Sequence, residues 1–177
     1  LERQPVGPAR TFQEVIMRKA TLAAVLFSLV AAQAAQAGEP IGYVKTVSGS
    51  ASVVRDGGER GLAVGAALYE DDTLKTGKDS SLGVTMKDGT TLSAGPETEI
   101  LLDRYAYAPQ AQQLGFVARV SQGTLDFVSG MLGKLAPESV AIETPTGVIG
   151  MRGTHFVVKV APGQKFADKS DSMRRAS

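Results

Sequence analysis

Few residues in this chain could do chemistry, and their spacing narrows the field further. Among 177 residues there is no cysteine and one histidine, His155. That removes disulfides, Cys-ligated zinc, iron–sulfur clusters and thiol nucleophiles together. A lone His also leaves a multi-His metal site or a Ser-His hydrolase hard to build. Flanked by Thr154 and Phe156 in a strand edge, His155 reads as a surface or packing residue. Ser48-Gly49-Ser50 and Ser129-Gly130 lack the frame of a nucleophile elbow. Glu70-Asp71-Asp72 with Asp79 offers oxygen donors of the type Ca²⁺ takes, but without the D-x-D-x-D-G spacing of an EF-hand. These four read as solvated turn carboxylates. Asp103 and Asp126 could serve as an acid pair only if the fold met them, and nothing in the sequence brings them together. The residues therefore predict no enzyme, no metal and no cofactor.

The most distinctive stretch is Glu143-Thr144-Pro145-Thr146-Gly147-Val148-Ile149-Gly150-Met151-Arg152-Gly153-Thr154-His155-Phe156. Gly150 and Gly153 allow a tight path with close backbone approach, including positive φ. Between them, Arg152 could reach a carboxylate or backbone carbonyls with its planar fork of donors. The reading favoured is a structural corner locked by an arginine, with Thr154 opening the last strand. The other reading makes Arg152 a recognition residue for an acidic partner.

The elements that must position these residues are short and β-rich. Val44 to Gly49, Ala51 to Arg55, Ser81 to Lys87, Thr90 to Ala94, Phe116 to Ser121, Gly123 to Val128, Val140 to Thr144 and Phe156 to Val160 alternate apolar with polar residues. That is the period of a half-buried strand. Asp56-Gly57-Gly58 and Asp88-Gly89 are hairpin-type turn signals. Roughly ten strands at spacings of about 8–12 residues predict an all-β sandwich, barrel or solenoid, and the glycine-punctuated strand pairs favour a compact β-solenoid or sandwich-like domain. One helical turn is expected, near Met131 to Leu135. Alternation places Val53, Leu82, Val84, Leu92, Val117, Leu125, Phe127, Ile142, Phe156 and Val158 in the core.

Targeting signals occupy the N-terminal region. Met17-Arg18-Lys19 precedes an apolar run from Ala20 to Ala32, and small residues, Ala35 and Ala37, stand before Gly38. This is the pattern of a secretory signal peptide cleaved between Ala37 and Gly38. The apolar run falls short of the ~20 residues a spanning helix takes. Residues 1–16 read as upstream sequence that is not native to the protein, 17–37 as the signal peptide, 38–161 as the domain and 162–177 as a flexible tail. Cleavage takes four basic residues (Arg3, Arg10, Arg18, Lys19) and two acidic ones (Glu2, Glu14) out of 19 and 18, leaving one acid in excess. Such a balance gives no case for a nucleic-acid partner. The predicted location is periplasmic or secreted, with no membrane span after cleavage.

Taken in order, these motifs resemble the FecR domain. Gly42-Tyr43-Val44 through Val53 resembles its opening strands. Gly65-Ala66-Ala67-Leu68 with Asp72-Thr73-Leu74-Lys75-Thr76-Gly77 resembles its G-x-x-L…D-x-L-x-T-G element. Leu82 to Leu92, with Asp88-Gly89-Thr90, resembles its central hairpin, and the stretch from Thr144 to Phe156 its T-P…G-x-R-G-T-x-F ending. The similarity runs from about Ile41 to Val160. It marks Thr144, Pro145, Gly147, Gly150, Arg152, Gly153, Thr154, Phe156, Asp88 and Gly89 as motif residues, structural or recognition. The resemblance implies a periplasmic domain that relays occupancy of an outer-membrane transporter across the inner membrane to a sigma factor. Residues 1–16 are too few for the helical sigma-binding module of such sensors, so no direct sigma-factor contact is expected. The function expected is therefore a non-catalytic interaction module of the cell envelope, linked to surface signalling and binding an envelope protein by a strand edge or face. The alternative is a carbohydrate or cell-wall binder, for which Tyr105 and Tyr107 are the only close aromatic pair.

Overall fold

The computed structural model describes residues 38–150, 153–164 and 166. The predicted signal peptide, including Ala35 and Ala37, lies outside them, as do Arg152 and most of the tail. Twelve strands lie in one compact unit that begins at Glu39. They are β1 (Gly42–Ser48), β2 (Ala51–Arg55), β3 (Gly58–Gly61), β4 (Ala67–Leu68), β5 (Thr73–Thr76), β6 (Ser81–Met86), β7 (Thr91–Ala94), β8 (Glu99–Ala108), β9 (Gln113–Val128), β10 (Val140–Thr144), β11 (Gly147–Gly150) and β12 (His155–Val160). Among the described residues one α-helical turn, α1, spans Leu132–Leu135, at the expected place. Among the described residues no helix is long and apolar enough to cross a membrane.

The domain is all-β, as the alternation required, but its architecture is a single curled sheet, a half-barrel. The strand order is β3-β2-β5-β8-β9-β7-β6-β1-β4, with β10 and β12 both on the far side of β9 and β11 beyond β10. The 16-residue β9 organises everything. Its first half pairs antiparallel with β8 and parallel with β10; its second half pairs antiparallel with β7 and β12. One long strand thus belongs to two strand sets, which is how a sheet turns a corner. A parallel partner requires a crossover. Here Ser129 to Ser139 supplies it, with α1 pinned by the buried Leu132.

Gly123 is the corner. It has φ +93, and a Cβ there would collide with the side chain and Cα of Thr98. Around it, Thr98 Oγ1 accepts from Thr124 N at 2.9 Å, and Thr76 Oγ1 accepts from Thr98 N at 2.9 Å while donating to Gly95 O at 2.6 Å. Short buried hydroxyls therefore satisfy the backbone where the ladder breaks. Gly123→Ala should cost about 2–4 kcal/mol, from left-handed strain plus overpacking. A denaturant titration checks this, with the midpoint falling at constant slope.

The concave side of the curl holds the core. A file of aromatics crosses it: Tyr105 edge-on to Phe116 at 6.0 Å, Phe116 stacked on Phe127 at 5.9 Å, and Phe127 stacked on Phe156 at 5.0 Å. Phe116 and Phe127 sit in opposite halves of β9, so this file joins the two halves. Nine of the ten residues expected inside are buried. Phe156 is on the predicted face but only half-buried, because it ends the file at the open side of the curl.

Candidate functional site

Two polar clusters inside the domain come first, because they account for residues that looked functional. Asp88 is 4% exposed and serves as a hub. Its carboxylate accepts from Thr90 N, Thr90 Oγ1, Tyr105 Oη and Leu132 N at 2.7–3.2 Å. Its own N–H donates to Tyr105 Oη at 2.9 Å, and its carbonyl accepts from Met131 N at 2.9 Å. Gly89 makes the turn at φ +85. Burial, reinforced by the Asp88 carboxylate, pushes the Tyr105 phenol well above its usual value. Asp88 and Gly89 are thus structural: they tie the β6–β7 turn to the crossover. Tyr105, being buried, cannot be half of a sugar platform with Tyr107.

The second cluster corrects the reading of the acidic turn. Asp72 is not a solvated carboxylate; it is completely buried. Arg55 grips it with two parallel bonds, Nε to Oδ1 at 2.6 Å and Nη2 to Oδ2 at 2.7 Å. Tyr69 N donates to Oδ2 at 2.8 Å, and the Tyr69 ring lies 4.3 Å under the guanidinium. The hydrogen bonds to Asp72 raise the Arg55 pKa further. Glu70 accepts from Tyr105 N at 3.2 Å, while Asp71 turns at φ +65. Among the described residues no group of acids and His could hold a metal. Nor do Asp103 and Asp126 meet as an acid pair: Asp103 bonds Arg119 at 3.0 Å, and Asp126 bonds His155 at 2.8 Å.

The distinctive C-terminal stretch builds the open side. Thr144 ends β10, and its Oγ1 donates to Gly147 O at 2.9 Å across the turn at Pro145 and Thr146. All four residues of β11 are exposed, Val148 at 67%. Gly150 has open space where a Cβ would stand and no left-handed backbone. Gly153 also has open space. Thr154 precedes the last strand rather than opening it, and its carbonyl accepts from Ser129 N at 2.8 Å. The Arg152 clamp lies outside the described residues.

Among the described residues, β11 pairs only with β10 and β12 only with β9. Each strand therefore keeps one unpaired edge. Between them lies a groove of about 360 Å³ lined by Val148, Ile149, Val157 and Lys159, with Gln164 at its end. Free strand edges beside exposed apolar side chains are templates for pairing with another chain. The groove also presents the side chains of Thr144 and Thr146, so its lining mixes apolar and hydroxyl groups.

The family comparison fits this arrangement. Residues 72–168 match the family model described as FecR protein. The chain belongs to the FecR family. The match begins at Asp72, the buried partner of Arg55, and takes in both the Asp88 hub and the β10–β12 groove. The opening strands β1–β4 precede the matched stretch, although β1 and β2 pair directly with strands inside it. No curated protein and no solved structure matched the chain. Membership of the family is consistent with a module related to cell-surface signalling.

The sequence reading missed Arg55, Thr98 and Arg119, and took Tyr105 only as half of an aromatic pair with Tyr107. One signal was present: in β5 the alternation that buries Leu74 also points Thr76 inward, and a threonine aimed at a core must have a partner.

Proposed function

We propose that this FecR domain is a non-catalytic interaction module of the periplasm or cell envelope, binding an envelope protein through the β11–β12 opening. The observation that carries this reading is the pair of unpaired strand edges around one apolar groove. An extended segment of a partner would add to β11, with backbone hydrogen bonds supplying affinity and the Val148–Ile149–Val157 surface supplying selectivity. Export supports the same reading: a signal peptide cleaved at Ala37-Gly38 would deliver the domain to the compartment where envelope partners are met.

Substituting Val148→Pro removes an N–H that faces the open edge, since the alternating antiparallel register turns the Ile149 N–H toward β10 and the Val148 N–H away from it, and so forbids strand addition there. The expected result is loss of an envelope partner captured by the exported wild-type protein, with the thermal midpoint of the domain unchanged. Retained capture of the same partner overturns the edge as the site. Sequencing of the exported protein should begin at Gly38; retention of Met17 would remove the cleavage step.

A further inference from the structure

The two halves of the curl treat their outward faces differently. On β5, β8, the first half of β9 and β10, the outward side chains are laced into cross-strand ion pairs. Lys75 pairs with Glu99, and Arg119 bridges Asp103 and Glu143. That is an ordinary solvated sheet face. On β6, β7 and the second half of β9 the outward residues are mostly small or hydroxylic, with the exposed Val128 among them and Val157 of β12 beside them. One cross-strand row runs Tyr43–Thr85–Thr91–Val128–His155 through four successive pairings. The neighbouring rows place Gly83, Ser93 and Thr124 beside it. The three inner strands carry no outward Lys, Arg, Glu or Gln, and their one charged residue, Asp126, is already bonded to His155 Nε2 at 2.8 Å.

The rims of this floor are specific. On one side Tyr43 is 44% exposed, next to the β1 bulge that carries Lys45. On the other is Lys159 of β12. Among the described residues neither lysine has a carboxylate within ion-pair distance. With strands about 4.8 Å apart, the floor between β1 and β12 is roughly 19 Å across, measured along the curve.

We propose that this face binds an anionic polysaccharide, a glycan bearing uronate carboxylates. Short hydroxyls let a ligand approach close to the backbone, and each both donates and accepts, as sugar hydroxyls do. The Tyr43 ring offers a flat apolar surface at the rim for the C–H face of a pyranose. Lys45 and Lys159, with no carboxylate within ion-pair distance among the described residues, supply the complementary charge that selects an acidic glycan over a neutral one. Nucleic acid fits poorly, since duplex DNA carries one charge per about 1.7 Å, far denser than two lysines at opposite rims. Val157 and Lys159 belong both to this face and to the β11–β12 groove, but the uronate gels and Ser93→Glu read glycan binding alone, so failure here leaves the protein-partner reading standing.

The test is affinity electrophoresis of the full chain in native gels containing polygalacturonate, alginate or hyaluronate, with dextran as the neutral polymer. Retardation is expected in at least one uronate gel and not in dextran. The double variant Lys45→Gln/Lys159→Gln should weaken it about tenfold, and Ser93→Glu, which puts a bulky anion on the floor, should abolish it. A second double variant, Lys78→Gln/Lys134→Gln, removes the same charge elsewhere and should bind as wild type. No retardation by any uronate polymer, equal retardation by dextran, or equal weakening in the two double variants overturns the proposal. Thermal midpoints of the variants, matched to wild type, exclude misfolding as the cause.

Discussion

Asp88→Ala is expected to destabilise the domain by about 3–5 kcal/mol. Four donors converge on that carboxylate: Thr90 N, Thr90 Oγ1, Tyr105 Oη and Leu132 N. All four bonds are buried, so water cannot take over without opening the turn. The damage should spread beyond the hairpin. Leu132 N begins the crossover helix, and Gly130 N, which donates to Thr90 Oγ1 at 3.0 Å, sits where a Cβ would strike the Asp88 and Thr90 backbone. Loosening the carboxylate therefore frees the crossover that returns the chain to β10. Tyr105→Phe also strands the buried Asp88 N–H that donates to Oη, and should cost about 1–3 kcal/mol, less than Asp88→Ala because the carboxylate keeps its other three donors. Asp88→Asn should recover less than half of the alanine loss, because its amide NH₂ meets a donor where an acceptor is needed. Urea titrations rank the three variants. A loss below about 1 kcal/mol for Asp88→Ala would mean that the turn opens to water, and that the hub assignment is wrong.

The period of two was legible along the chain because each strand buries one face, and that constraint is written in residue order. Leu82, Val84 and Leu92 are buried as the alternation required. The curl was not legible, since it depends on one residue, Gly123, whose φ of +93 splits what reads as two strands into two halves of a single strand. A solenoid and a half-barrel carry the same alternation and differ only in which strands pair. The pairing partners of the polar residues were equally hidden. Arg55 and Asp72 are 17 residues apart, and their short bonds exist only because β2 lies beside β5. In sequence Asp72 looks like one more acid in an exposed turn. Its neighbours Glu70 and Asp71 share the composition, but only Asp72 faces inward. At the C-terminal motif, Gly147 and Gly150 stand in the exposed β11 with open space beside them, while the corner expected around Arg152 falls outside the described residues.

Arg55→Ala should rival the Asp88 variant, at about 3–5 kcal/mol, because it leaves the fully buried Asp72 carboxylate without its cation. The cost arises from the stranded acid, not from the arginine, whose side chain is 29% exposed. A double variant separates the two. Removing Asp72 as well, as Arg55→Ala/Asp72→Ala, should cost less than the sum of the single losses, and the difference measures the coupling of the pair. Arg55→Lys should rescue only partly: one ammonium cannot make both the 2.6 Å and the 2.7 Å bond, nor lie flat on Tyr69. The pair also fixes backbone, since Arg55 Nη2 donates to Ala67 O at 3.3 Å and Tyr69 N donates to Asp72 Oδ2. Loss of the grip should therefore release the β4–β5 connection and expose the Tyr69 amide to hydrogen exchange, while amides in the second half of β9 stay protected. Strict additivity in the double variant, with the Tyr69 amide unchanged, would show that the bidentate pair adds nothing to the fold.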